Sequence, residues 1–392
     1  MTSTTQGTFA LFNDSFPPIM DGVSICVYNY AKHLTAMGEK AIVVTPEAAP
    51  NDKDKAIEAR DTFSVYRYPS FPLPFHKPHR VGLSLFAYPL ARRLYKSDIR
   101  LVHAHCPFSS GLIAKRIATQ KGIPMVATFH SKYRYDFERV IKSKALVDLI
   151  IKNIVEFYEE ADEVWVPQEE VAETLFQYGY KGKRPIVMPN GNDLSERTDR
   201  DALRVARRRQ LGITDDCPLL LYVGQQTREK NVPFILQSLH DLGDLPYQMV
   251  SVGDGYGLEE FKKLAQSLGI GEKVLFTGSI YDRDTLASYY AAADLFLFPS
   301  NYDTWGLVFR EAAAMQTPSL LLANSTAATV IKDHFNGYLS IESPTEYAQK
   351  IAQILSNPEE RNLVARHAQV TLAESWSAVV ERVHDRYMRL LH

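Results

Sequence analysis

Two doubly wound α/β domains, each a parallel sheet with helices on both faces, are the architecture this sequence predicts. Three observations lead there. At 392 residues the chain exceeds what one hydrophobic core usually organises. Apolar runs of strand length alternate with helical stretches, the pattern of a parallel sheet. The alternation also occurs twice, on either side of Pro189-Asn190-Gly191-Asn192-Asp193, a stretch of turn chemistry. A first domain over 1–190 and a second over 191–374 follow.

In the first set, 8–12 reads as a buried strand and Asn13 to Asp21 as a proline-containing loop. A helix runs from about Ser24 to Met37, Gly38 stops it, and 40–45 returns as a strand. A strand, a turn bearing Gly22, a helix and a strand form the unit that sets phosphates at a helix N-terminus. Further strands are expected at 63–68, 101–104, 124–128, 163–166 and 185–188, with helices near 109–120, 144–160 and 168–178. His103, His105 and His130 fall at strand C-terminal ends, where open α/β sheets bind ligands. Their spacing is not that of a closed structural zinc site.

The second set begins after a polar segment that holds Arg204, Arg207, Arg208 and Arg209 and reads as a linker and surface helix. Strand 219–223 ends in Gly224, strand 248–252 in Gly253-Asp254-Gly255, and strand 273–276 in Thr277-Gly278-Ser279-Ile280. Glycines there let backbone approach a ligand closely. Strand 293–298 is stopped by Pro299, and a loop opens into a helix after Thr304. Such an entrance offers backbone N–H groups and the positive end of a helix dipole to an anion such as phosphate. Asp303 and Glu311 bracket it with seven residues between them. Read alone, Asp303 is an N-cap and Glu311 a solvated helix residue. A strand at 317–322 and helices near 344–355, 358–373 and 375–392 complete the chain.

Composition, 45% hydrophobic and 23% charged, is that of an ordinary globular protein. Cys26, Cys106 and Cys217 are few and far apart, which suits a reducing compartment and neither a disulfide framework nor a zinc site. The first residues lack the basic and apolar runs of a signal peptide, and no apolar stretch approaches about 18 residues. A cytoplasmic protein is expected. Its net charge of −2 hides an asymmetry: residues 71–145 hold 14 Lys and Arg against 3 Asp and Glu, so +11 there and −13 elsewhere. Phe71, Leu73, Phe75 and the apolar stretch 83–90 lie in that basic region. It reads either as a partner for an anionic membrane surface or as a solvated basic face over a core. Nucleic acid is not expected as a partner, because no recognised module surrounds the charges.

Taken in order, the glycine loop at Phe16 to Val23, the strand-end histidines, Pro-Asn-Gly-x-Asp at 189–193, the loop with Lys230 and the acid-x7-acid pair resemble retaining glycosyltransferases of family 4, with the GT-B fold. The resemblance covers essentially the whole chain. It implies two Rossmann-like domains facing across a cleft, with 375–392 packing back on the first. It further implies a nucleotide-sugar donor, a UDP-hexose first of all. Donor contacts would come from Gly22, Gln225, Lys230, Ile280, Asp303, Thr304, Gly306, Leu307 and Glu311, with Glu311 on the ribose. His130, Asp303 and Lys230 would carry the catalytic roles, and Asp21, Tyr133 and Arg134 the acceptor side. Retention by front-face displacement is implied, with the leaving phosphate taking the acceptor's proton. Neither metal nor cofactor is expected.

The chain departs from the pattern at three places. Asp303 stands where glutamate is usual, Gln225 replaces an arginine for which Arg228 is the candidate substitute, and 325–329 lacks the usual Gly-Gly-x-x-Glu turn. The run His130-Ser131-Lys132-Tyr133-Arg134-Tyr135 looks like that of lipid-glycosylating members, so a membrane glycerolipid is the expected acceptor. A soluble saccharide acceptor, a non-catalytic sugar-nucleotide binder and a related epimerase are the alternatives.

Overall fold

The computed structural model describes residues 7–19, 21–48, 62–72, 80–130, 133–195, 197–214, 216–301 and 306–392. Two compact units divide the chain: Met1–Gly191 with Trp376–His392, and Asn192–Ser375. Both are parallel-sheet α/β units, as the alternation predicts.

The first unit contains β1 (Thr8–Phe12), β2 (Lys40–Pro46), β3 (Ser64–Tyr68), β4 (Ser70–Pro72), β5 (Arg80–Gly82), β6 (Ile99–Ala104), β7 (Met125–Thr128), β8 (Glu163–Val166) and β9 (Ile186–Val187). Seven of these form one sheet in the order β3-β2-β1-β6-β7-β8-β9, while β4 and β5 form a small antiparallel pair. Strand β1 is central, so both its faces are buried and its sequence is a continuous apolar run. Phe9 and Leu11 point into a core shared with Cys26, Val27 and Tyr30 of the helix Gly22–Ala36. Val379, Val383 and Tyr387 of the last helix, Trp376–Leu390, complete that core. Ala10 and Phe12 point to the opposite face, onto Ile113 and Ile117 of the helix Ser109–Lys121.

The second unit holds β10 (Leu219–Val223), β11 (Gln248–Val252), β12 (Val274–Gly278), β13 (Leu295–Phe298), β14 (Ser319–Leu322) and β15 (Tyr338–Ser340). All pair in parallel in the order β12-β11-β10-β13-β14-β15. From β10 the chain winds outward to β12, then returns to lay β13 on the other side of β10. The strand order therefore reverses between β10 and β13, and a ligand crevice belongs beyond their C-terminal ends.

Two helices, Tyr88–Lys96 and Tyr133–Val140, and the β4–β5 pair stand where the sequence suggested no element. The arginine-rich helix Arg200–Leu211 corrects a second expectation, because it is not merely a surface linker. Arg208 is 3% exposed and donates to Asp294 (3.0 Å) and to the carbonyls of Ala292, Thr214 and Cys217. Arg204 meets the other oxygen of Asp294 at 2.7 Å. Asp294 sits at the entrance of β13, where it also accepts from the Leu219 backbone; a carboxylate buried there requires such partners. Leu73 and Phe75 lie outside the described residues. Among those described, no helix is long and apolar enough to cross a membrane.

Candidate active site

In the second unit the loops beyond β10, β11 and β12 are sewn together by backbone. Gly224 N donates to Val252 O, Gln226 N to Asp254 O, and Gly253 N to Gly278 O. Gly253 adopts φ +129°, and a Cβ there would lie 1.9 Å from the Gly224 carbonyl oxygen, so a side chain would force the loops apart. Behind them, buried Gln226 donates through Nε2 to Ser251 Oγ at 2.9 Å. Lys230 ends the short turn Arg228–Lys230 and is half-buried. Next to it Asn231, at φ 60°, starts the helix Val232–Asp241 and donates to Pro299 O at 3.3 Å. The lysine loop is thus pinned to the loop after β13.

That second loop reaches Gly306, the left-handed N-cap (φ +66°) of the helix Leu307–Ala314. A Cβ on Gly306 would come within 2.4 Å of the Phe309 ring. Leu307 is half-buried, and Ile280 is half-buried against the core below β12. Asp303 and Thr304 lie outside the described residues. Gln225 is exposed and its carbonyl accepts from Tyr222. Arg228, the candidate substitute for the missing arginine, is exposed and paired with Glu260 at 2.7 Å.

Glu311, read alone as a solvated helix residue, is 9% exposed. Its Oε1 accepts from Arg283 at 2.7 Å and its Oε2 from Tyr290 at 2.8 Å. The Arg283 guanidinium continues to Asp193, at 2.9 Å from Nε. Burial alone would lower the Arg283 pKa, but Glu311 and Asp193 outweigh it and raise the value. Burial, reinforced by Glu311, pushes the Tyr290 hydroxyl well up. A carboxylate offers about four lone-pair sites, so two donors orient Glu311 and leave room for more. Arg283 and Tyr290 were not singled out from sequence. Their partner is 28 and 21 residues away, beyond any local pattern.

In the first unit Gly22 is the first residue of its helix, and Asp21 is the N-cap. Asp21 Oδ1 accepts from Val23 N (3.0 Å) and Ser24 N (2.7 Å), and Ser24 Oγ answers with a reciprocal bond at the Asp21 backbone. The other two acceptor-side candidates both have partners within the first unit. Tyr133 is 8% exposed and packs among Phe108, Phe129 and Tyr158, because aromatic edges around it offer a better home than water. Arg134 bridges two helices, with Asp148 at 2.7 Å and Glu138 at 3.4 Å.

Three histidines gather at the C-terminal ends of β6 and β7. His103 Nδ1 meets Tyr387 Oη at 2.5 Å and its Nε2 meets Thr128 Oγ1 at 2.7 Å, which ties the last helix to the sheet. His105 Nδ1 lies 3.1 Å from His130 Nε2. Burial lowers all three pKa values, that of His130 to about 3, so the rings are neutral at physiological pH. Cys26, whose thiol burial pushes well up, offers a sulfur within 4.8 Å of ligand atoms of His105 and His130. Using those three as metal ligands would require the thiolate.

Comparison with known proteins agrees with this geometry. Residues 20–196 match the family described as Glycosyltransferase Family 4, and residues 204–370 match Glycosyl transferases group 1. The chain is 28% identical over 388 residues to an alpha-monoglucosyldiacylglycerol synthase of Streptococcus pneumoniae, covering 96% of this chain and 85% of that one. With the protein of the same name from Acholeplasma laidlawii it shares 24% over 377 residues, 92% and 91% of the two chains. Among solved structures, Anabaena HepE in complex with UDP-glucose superposes with a TM-score of 0.77 at 16% identity, over 98% of this chain and 100% of that one. The sucrose-phosphate synthase of Thermosynechococcus elongatus reaches 0.80 at 22% identity, over 98% and 99%. With both parallel-sheet units matched in order, the chain belongs to the GT-B glycosyltransferases, pairing a family 4 unit with a group 1 unit.

Proposed function

We propose that this chain transfers a hexose from UDP to a hydroxyl of a membrane glycerolipid, with retention of configuration and without a metal. The donor half is supported by the pinned loops of the second unit. In this reading the leaving diphosphate lies over Lys230 and the N-terminus of the helix Leu307–Ala314. Both meet the negative charge that grows as the glycosidic bond breaks, and they supply the positive charge a metal ion would bring. Glu311, oriented by Arg283 and Tyr290, takes ribose hydroxyls on its remaining lone pairs. For the first unit, the resemblance gives His130 the role of a sugar contact. The bond from the anomeric carbon to phosphate breaks, and a bond to the acceptor oxygen forms on the same face. The acceptor's proton passes to the departing phosphate oxygen. Structural neighbours carrying UDP-glucose, and relatives named for diacylglycerol glucosylation, favour this donor and acceptor.

The observation that carries the acceptor is the outer face of the first unit. Tyr88 and Tyr95 on one helix, Leu112 on the next, and Tyr135, Val140, Leu146 and Leu149 on two more are all exposed. Arg92, Arg93, Lys96, Arg116, Arg139, Lys142 and Lys144 are exposed among them. The elements adjoin: the Arg116 guanidinium lies 5.8 Å from the Tyr88 ring, and Phe108 meets Phe137 at 6.2 Å. Apolar side chains interleaved with cations suit an anionic bilayer, where each basic residue contributes roughly 1 kcal/mol.

Co-sedimentation with vesicles tests this. Binding is expected to rise with anionic lipid and to fall with salt, since screening acts over about 8–10 Å near physiological ionic strength. Changing Arg92, Lys96 and Lys142 together to glutamate should weaken binding by at least about two orders of magnitude, with UDP affinity unchanged. Should the parent remain in the supernatant with anionic vesicles at low salt, the lipid acceptor loses its physical support and a soluble saccharide takes its place.

A further inference from the structure

The pair His105 and His130 has a property that neither ring has alone. His105 is hemmed in: His103 stacks on it at 4.0 Å, His130 lies beside it at 5.4 Å with 18° between planes, and Tyr30 meets it at 5.4 Å, nearly perpendicular. The 3.1 Å between the facing nitrogens makes His130 an edge-to-edge neighbour in nearly the same plane, so His103 on one face and the Tyr30 ring hold His105 in place. Its Nδ1 faces His130 Nε2, and its own Nε2 is buried with no hydrogen-bond partner among the described residues. A neutral imidazole carries one proton on one of its two nitrogens. Were that proton on the orphaned Nε2, a buried N–H donor would stand unsatisfied, which is rarer and costlier than an unused acceptor lone pair. The proton therefore belongs on His105 Nδ1, and it is donated to His130 Nε2. With Nε2 accepting, His130 must hold its own proton on Nδ1.

We propose that His105 is a positioning residue that fixes the tautomer of His130, so that His130 meets its ligand as an Nδ1–H donor and not as a base. The ligand class this suits is a sugar oxygen, hydroxyl or ether, accepting a hydrogen bond; that assignment rests on the donor reading above. The neutral state that burial imposes on both rings agrees with it. The neighbouring His103 differs in kind. Both its nitrogens are bonded, to Tyr387 and Thr128, so its task is to hold the last helix and the sheet together.

Histidine-labelled protein and long-range ¹H–¹⁵N spectra near neutral pH read the tautomer directly, with the His130 signals assigned by their loss in His130→Gln. The unliganded parent should show His130 protonated on Nδ1. In His105→Leu the two tautomers should mix, and kcat should fall about tenfold with little change in donor KM. His105→Asn, whose amide N–H overlays the lost Nδ1–H, should restore both. A parent His130 protonated on Nε2 overturns the proposal, as does a His105→Leu enzyme with parental tautomer and kcat. If His105→Leu does not fold, the parent spectrum still decides. The spectrum needs no turnover, so an Nδ1–H His130 in a protein that transfers no hexose would indict the proposed reaction and leave this inference standing.

Discussion

Replacing Lys230 with alanine is expected to lower kcat by about two orders of magnitude, the usual loss when a fixed electrostatic stabiliser is removed. The donor KM should change less. Negative charge is shared across the diphosphate in the ground state but concentrates on the departing oxygen as the glycosidic bond opens. A cation at that oxygen is thus stronger in the transition state than in the bound substrate, and only such a difference accelerates the reaction. The surroundings of Lys230 sharpen the expectation. Gln225 brings no charge, and Arg228, the other cation of the loop, is drawn to Glu260. The hydrogen bond from Asn231 to Pro299 O holds the end of the lysine loop against the start of the loop that follows β13. Steady-state kinetics on a folded variant decide the matter, and a rate within twofold of the parent would sink the assignment. The converse change, Gln225→Arg, should tighten UDP binding by restoring a second cation.

Arg208→Ala should cost the second unit about 3–5 kcal/mol, as expected when one partner of a buried ion pair is removed. The variant leaves Asp294 short of one cation and strips donors from three carbonyls, those of Ala292, Thr214 and Cys217. Arg204 keeps its own bond to Asp294, which places the loss toward the lower end. A pH signature accompanies it. Burial alone would raise the Asp294 pKa, but Arg204, the Leu219 backbone N–H and Arg208 outweigh it and hold the carboxyl below its usual range. The unfolded chain therefore binds this proton more readily than the folded one. Its contribution is complete above the unfolded value of about 3.9 and is lost as pH falls through the lower folded value. Urea denaturation near neutrality and below pH 4 reads both effects: the variant should be less stable at neutrality and should lose less on acidification. A stability change under 1 kcal/mol at neutral pH would mean that the Asp294 cluster is not the anchor described.

What the sequence makes legible follows from how locally each feature is determined. Strands β10 and β13 read clearly because both faces are buried, so Leu219 to Val223 and Leu295 to Phe298 are unbroken apolar runs. The glycines at 224, 253 and 278 marked strand ends, and at two of them the reason is local, since the positive φ of Gly253 and Gly278 is one that other side chains rarely adopt. The helix Tyr133–Val140 gave no such signal. Its core-facing side chains are Tyr133 and the half-buried Phe137, one turn apart, too few positions to show a helical period. Tyr133 itself, flanked by basic residues, reads as a surface group; its burial is decided by Phe108, Phe129 and Tyr158, which no local window contains. The same holds for charges. Arg208 and Asp294 are 86 residues apart in sequence and Arg283 and Glu311 are 28 apart, and only the fold brings them together. The histidines were legible as strand-end groups, whereas their stacking required the register of β6 on β7.

Incubating the enzyme with UDP-glucose and vesicles that carry diacylglycerol, with a soluble saccharide in a parallel reaction and chelator in both, tests the central claim most directly. Mass spectrometry and NMR of the products read the acceptor and the anomeric configuration together. The account predicts a lipid that has gained one hexose in the α-configuration of the donor, undiminished by chelator. A glycosylated saccharide with unmodified lipid, a β-linked product, or transfer abolished by chelator would contradict it.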